Sequence, residues 1–421
     1  MPRPFLPALT RSRRARIGLT TLFALALSAC SAPRAPQPAE NPPSFAEYQR
    51  ATQARLLERR AFQTATPEQE VAWNSPQEWR PEGATGSDGV EPHGAGLGAR
   101  AAKGILLIHG LGDSPWSFTD VARTLAQQGF LVRTVLLPGH GTRPEDLLDT
   151  TAEQWRAVVR AQAIALQRDV DTVYLGGFST GANLALEYAY EHPEIAGLVL
   201  FSPGFKSSST LDWLAPWVTW IRPWLLAPDG HRPMQNGVRY LTAPTNAFGQ
   251  FYLTSRTARR LIHDRPYERP VFMVLAQHDS VLDTPYLLDV FQRRFVHAAS
   301  RLVWYGDLPG APADAGRVLV RPDRLPAQRI SQFSHMGMLF APGNPLYGAA
   351  GSLRICWNGQ EPAQTEACLR GEPVWYSDWG YREAGKVHAR LTYNPYFDWQ
   401  TSVMAEVLKA AAAEPGAVAR R

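Results

Sequence analysis

The run GILLIHG at residues 104–110 is apolar without polar alternation. That is the pattern of a strand covered on both faces, as in a parallel sheet with helices on each side. The next segments repeat the theme. After LGDS, Ser114 can cap a helix with Pro115 at its first position, and Gly129 can close it. A second strand, FLVRTVLLPG, starts at Phe130; Thr151 and Gln154 then form a capping-box signature for a helix to about Arg168. A third strand, DTVYLGGF, precedes a helix from about Thr180 to Glu191, and GLVLFSP follows from Gly197. The alternation breaks after Pro203 and resumes in strands at 269–279 and 301–307. Strands and helices in this order predict an α/β fold with a mostly parallel central sheet and helices on both faces. With 421 residues and 45% hydrophobic content, the chain has material for one enlarged domain.

Within that frame the stretch YLGGFSTGANLALEYA sets a serine between small residues where a buried strand meets a helix. So sharp a turn lifts the Ser179 hydroxyl above the carboxyl edge of the sheet, and Gly177 and Gly181 leave room for the neighbouring backbone. A phosphate-cradling loop would want a lysine followed by Ser or Thr, and none follows Gly181. A neutral hydroxyl is a poor nucleophile, so it needs a base and a group that orients the base. Asp279 ends the strand VFMVLAQ and is the candidate acid; Asp283 is its rival. Among ten histidines, His335 in QFSHMGM follows the last predicted strand, ahead of His297 and His388. Backbone N–H groups of Leu111 and Thr180 are positioned to stabilise a developing oxyanion, with His109 in a supporting or purely structural role.

Taken in order, LLIHGLGDSPWSF, LLPGHGT, GGFSTG, LAQHDSVLD and FSHMGM resemble the α/β-hydrolase superfamily. Within it, the likeness is to the monoacylglycerol lipase, carboxylesterase and serine aminopeptidase (S33-like) group. It covers roughly residues 103–340, and implies Ser179 as nucleophile, His335 as base, Asp279 as its orienter, and Leu111 and Thr180 as oxyanion donors. Residues 103–205 and 266–340 then form the hydrolase core, and 206–265 a lid insert. There Trp213, Trp217, Trp220 and Trp224 would share one face of a helix and either wall an acyl site, face a membrane or pack on the core. Pro216 limits where that helix can start, and Pro223 should end or kink it. A Pro- and Arg-rich insert, LPGAPADAGRVLVRPDRLPAQR, lengthens the loop before His335. Residues 46–102 are of unclear role, and 341–421 form a C-terminal extension.

At the N-terminus, residues 1–29 carry five arginines, no acid and the apolar run IGLTTLFALALSA. They read as a signal peptide. LSAC, ending at Cys30, resembles a bacterial lipobox, and the Pro-rich residues 30–45 suit an extended tether. Ser31 in place of aspartate points, by analogy, to the outer membrane. The five signal-segment arginines account for the whole net charge of +5. The mature chain is therefore near neutral, which argues against nucleic-acid binding. An exported chain meets an oxidising compartment, so Cys356 and Cys368 are expected to form a disulfide; no metal-ligand spacing accompanies them. The expectation is a lipid-anchored envelope serine hydrolase of short- or medium-chain carboxylic esters, monoacylglycerol-like esters among them. It needs no metal or organic cofactor, and its partners are a small-molecule or lipid ester and a membrane. Acyl transfer or amide cleavage by the same triad stays open, as does an inactive scaffold serving as an envelope binding or assembly factor.

Overall fold

The computed structural model describes residues 42–81, 101–226, 228, 233–310 and 316–412. The predicted signal peptide, Cys30 and most of the tether lie outside these residues. Strands β1 (Glu78–Trp79), β2 (Ala101–Ile108), β3 (Leu131–Val135), β4 (Val170–Phe178), β5 (Leu198–Phe201), β6 (Val271–Ala276), β7 (Arg301–Tyr305) and β8 (Val318–Arg321) build one sheet. Their spatial order is β1-β3-β2-β4-β5-β6-β7-β8. Every pairing is parallel except that of β1, which lies antiparallel to β3 at one edge. The chain crosses from β3 over β2 to β4, so the loops after β2 and β4 diverge at the carboxyl edge and leave a crevice there.

Helices α1 (Phe45–Arg59), α2 (Pro67–Asn74), α3 (Thr119–Gln127), α4 (Ala152–Asp169), α5 (Thr180–Glu191), α6 (Ala215–Val218), α7 (Thr245–Asp264) and α8 (Thr284–Arg294) precede the C-terminal region. The strand period of two divides the core. Ile105 and Leu107 of β2 join a cluster with Val121 and Leu125 of α3, while Leu106 and Ile108 join the cluster that holds α4, α5 and α8. The predicted Thr151–Gln154 capping box is formed at the start of α4. Ser114 instead precedes a short 3₁₀ turn, Pro115–Phe118, and makes no side-chain cap.

Three regions exceed what the pattern conveyed. The insert before His335 carries β8, the last strand of the sheet. The lid region holds the 20-residue helix α7. Beyond residue 340 come α9 (Pro362–Leu369), the paired strands β9 (Trp375–Ser377) and β10 (His388–Arg390), and α10 (Phe397–Ala412). The disulfide Cys356–Cys368 is formed in this region. Met404, Val407 and Leu408 of α10 are buried with Phe272, Val274 and Val303, so the extension returns to complete one face of the core. The N-terminal segment also has a place. Buried Arg60 pairs with Glu70 at 2.8 Å and donates to the Gly237 carbonyl at 2.8 Å, tying α1 and α2 to the base of the lid.

Candidate active site

Strand β4 ends at Phe178 and α5 begins at Thr180, leaving Ser179 alone to turn the chain, at φ 52° and ψ −114°. A positive φ is unfavourable for any residue with a Cβ, and the surrounding packing holds it. The two glycines are sterically required. A Cβ on Gly177 would lie 2.3 Å from the Gly181 carbonyl carbon, and one on Gly181 would lie 1.9 Å from the Ile108 oxygen. The turn therefore fits only while both stay bare.

His335 Nδ1 lies 2.7 Å from Asp279 Oδ2. Asp279 follows β6, and its other oxygen accepts from the Val281 and Leu282 N–H groups at 2.9 and 3.1 Å. That fixes the carboxylate and aims Oδ2 at the ring. Asp283 is elsewhere engaged: it caps α8 through the Tyr286 N–H at 3.1 Å and pairs with Lys206 at 2.8 Å. His297 lies in the turn before β7, where its Nδ1 accepts from the Ala299 N–H. His388 is buried in β10. Neither meets Asp279.

The loop of His335 is clamped from several sides. Ser202 Oγ, on a residue with φ 40°, donates to the His335 carbonyl at 3.0 Å. Ser334 Oγ donates to the Leu391 carbonyl, and Gln400 Nε2 of α10 donates to the Met338 carbonyl at 2.9 Å. Behind Asp279, buried Asp378 accepts from the Ser280 and Trp379 N–H groups. Burial raises its carboxyl pKa, Arg390 opposes that rise, and the charge of Asp279 adds to it. Ser202, Asp378 and Gln400 carry no signal in the sequence, because what matters is a contact between distant segments.

Thr180 opens α5, where the helix dipole favours negative charge. Among the described residues, neither the Leu111 nor the Thr180 backbone N–H has an acceptor, and the buried Thr180 hydroxyl is also unpartnered. His109 holds the loop of Leu111. Its Nε2 accepts from the Leu137 N–H at 3.0 Å, which leaves Nδ1 to donate to the Gly110 carbonyl at 2.8 Å. Burial pushes this imidazole down to about 4, so it stays neutral.

Leu111, Ser179, Thr180 and His335 line one cavity of about 600 Å³. Its apolar wall comes from Leu214, Ala215, Val218 and Leu225 of the lid and from Phe248 and Phe251 of α7. The four tryptophans do not line it, which corrects the single-helix expectation. Pro216 and Pro223 confine regular structure to a 3₁₀ turn at Asp212–Leu214 and to α6. On these turns the residues between the tryptophans face the cavity. Trp213, Trp217 and Trp220 are 51, 70 and 89% exposed, and Trp224 is half-buried.

Comparison with known proteins gives a partial match. Residues 99–241 match the family model for serine aminopeptidase, S33. The thermostable monoacylglycerol lipase of Bacillus sp. (strain H-257) is 38% identical over 96 residues, 23% of this chain and 38% of the lipase. An uncharacterized protein of Mycobacterium tuberculosis, Rv2715, is 32% identical over 107 residues, 25% of this chain and 30% of its own. The chain thus spans well under half the length of these curated relatives. Among solved structures, the monoacylglycerol lipase of Paleococcus ferrophilus is 17% identical with a TM-score of 0.41, over 57% of this chain and 93% of that one. With its parallel sheet, its serine turn after β4 and this S33-like segment, the chain has the α/β-hydrolase fold.

Proposed function

We propose that the protein is a serine hydrolase that cleaves carboxylic esters of short or medium acyl chains, anchored in the bacterial envelope through a lipidated Cys30. The observation that carries the catalytic part is the convergence of a strained serine and an Asp279-oriented His335 on one apolar cavity. In the mechanism, Ser179 Oγ attacks the ester carbonyl carbon while His335 Nε2 takes its proton. Asp279 stabilises the imidazolium, and the Leu111 and Thr180 N–H groups receive the oxyanion. Collapse breaks the acyl C–O bond, and the alcohol leaves with the proton from His335. Water then repeats the sequence on the acyl-enzyme, releasing the acid and restoring Ser179. The exposed Trp213, Trp217, Trp220 and Ile221 are apolar surface on the outer side of the lid and suit contact with a lipid interface. The anchored location rests on the LSAC sequence alone.

The test uses soluble protein beginning at Ser31, a fluorophosphonate probe and nitrophenyl esters of graded chain length, with an aminoacyl nitroanilide for amide cleavage. Labelling and ester turnover that both vanish in Ser179→Ala are the expected result. A folded wild type that neither labels nor turns over would overturn the enzyme reading and leave the binding scaffold.

A further inference from the structure

A second cavity of about 680 Å³ lies between the lid base and the C-terminal extension, with Tyr240 and Leu241 on one side and Trp357, Gln360 and Trp379 on the other. It shares three lining residues with the cavity of Ser179: Arg239, Met336 and Arg390. Two guanidinium groups from opposite walls therefore stand where the cavities meet, beside the residue that follows His335.

Arg239 lacks a carboxylate partner among the described residues, and Arg390 has only a long ion pair. Arg239 donates to the Met336 sulfur at 2.7 Å. Arg390 donates through Nε to Asn358 Oδ1 at 2.7 Å. Its nearest carboxylate oxygen, on Asp378, is 3.9 Å away, and that carboxylate already accepts from two backbone N–H groups. Burial draws the Arg390 pKa down; the charges of Asp378 and Asp279 oppose that fall, and the charge of Arg239 adds to it, so the two cations repel across the junction. Two acids complete the charged lining. Asp212, in the first cavity, pairs with neither arginine, and Glu366, in the second, is exposed and lies 4.0 Å from Arg370. Arg239, half-buried and without a carboxylate partner among the described residues, is poised for bidentate binding of an oxyanion, with Arg390 beside it held only by its long ion pair with Asp378.

We propose that Arg239 and Arg390 bind an anionic group, a carboxylate or a phosphate, carried on the alcohol half of the ester. The acyl chain lies in the apolar cavity under the lid, the scissile carbonyl sits at Ser179, and the alcohol half passes Met336 into the second cavity. The bond broken is still the acyl C–O bond, and the proton passes through His335 to the leaving alcohol as before. The anion stays on that alcohol and takes no part in the chemistry. This proposal rests on the esterase reading for its activity arm and stands apart from it in its binding arm.

The activity arm compares kcat/KM for 1-decanoylglycerol, 1-decanoylglycerol 3-phosphate and the decanoyl ester of glycolic acid, in wild type, Arg239→Gln and Arg239→Lys. The phosphate or the carboxylate ester should exceed the neutral ester by about tenfold or more, as one charge-assisted contact allows. Whichever is higher identifies the anion. Arg239→Gln should lower that ratio about tenfold, and Arg239→Lys should restore most of it. The binding arm titrates decyl phosphate and decanol into folded Ser179→Ala protein by calorimetry, with Arg239→Gln added to the same background. Equal rates on all three esters, with no Arg239-dependent binding of decyl phosphate, would overturn this proposal while leaving the esterase intact. Absence of turnover on every ester would overturn the esterase reading alone if decyl phosphate still binds through Arg239.

Discussion

Replacing Asp279 by asparagine tests the proposed proton relay at its most constrained point. Asp279 Oδ1 accepts from the Val281 and Leu282 N–H groups, and Oδ2 faces His335 Nδ1. An asparagine can present its oxygen to only one of these sides. If the oxygen stays with the two backbone donors, the amide NH₂ points at His335 and forces Nδ1 to become an acceptor. The ring proton then sits on Nε2, and the imidazole cannot take the proton of Ser179. Flipping the amide restores the tautomer but sets NH₂ against two N–H groups, that of Leu282 buried and that of Val281 partly buried, at ~1–3 kcal/mol for each donor left unpaired. The total of ~2–6 kcal/mol predicts a loss in kcat/KM between about 30-fold and about 10⁴-fold. Asp283→Asn is the control. Asparagine caps a helix about as well as aspartate, and the partly exposed pair with Lys206 is worth less than ~1 kcal/mol. Its rate should stay within about twofold of wild type. Steady-state turnover of nitrophenyl butyrate, with thermal melts to establish folding, reads both variants. A folded Asp279→Asn protein with more than about a third of wild-type kcat/KM would refute the argument.

The pH dependence of stability and the N-terminal processing give two more tests. Burial pushes His140 down to about 3 from 6.5, so the unfolded chain binds a proton that the folded chain refuses. Its contribution is present above pH 6.5 and is lost as pH falls toward 3. His140→Asn should therefore lose about 1.4 kcal/mol less stability than wild type on going from pH 7.5 to 5.5. Identical urea-unfolding differences for the two proteins would rule this out. In producing bacteria, the mature chain should begin at Cys30 with attached acyl groups by mass spectrometry, and Cys30→Ser should remain an unlipidated precursor. A mature wild type beginning elsewhere without lipid would remove the anchor.

Sequence makes legible what local pattern encodes. Residues 104–108 of β2 and 173–178 of β4, with the whole of β5 and β6, are buried on both faces and stand out as continuous apolar runs. The serine turn is legible because Gly177 and Gly181 are demanded by backbone clashes within the turn and with the end of β2. Strand β8 has no such mark: its VLVR is four residues long, half-exposed at the sheet edge and surrounded by prolines. Helix α7 is hidden in an insert whose start is broken by Pro216 and Pro223. The outward turn of the tryptophans reflects the same breakage, since a stripe implies one face only where one helix persists. The Arg239 and Arg390 junction has no local signature, because the two side chains are far apart in sequence and only the tertiary fold brings them together.

Chain order has a temporal consequence for the loop that carries His335. A polypeptide emerges from the ribosome N-terminus first, and on the proposed route it crosses a membrane in the same direction. The serine turn can form once β5 is in place, because the Ser179 N–H bonds to the Phe201 carbonyl. The base has to wait. Its loop is pinned by the Leu391 carbonyl and by Gln400, and the adjoining sheet face is covered by α10. A chain halted before residue 391 therefore carries the nucleophile without a positioned base. On the proposed esterase reading, ester cleavage is withheld during biogenesis until the segment through Gln400 has emerged, which would keep the nascent hydrolase silent on the proposed route across a membrane.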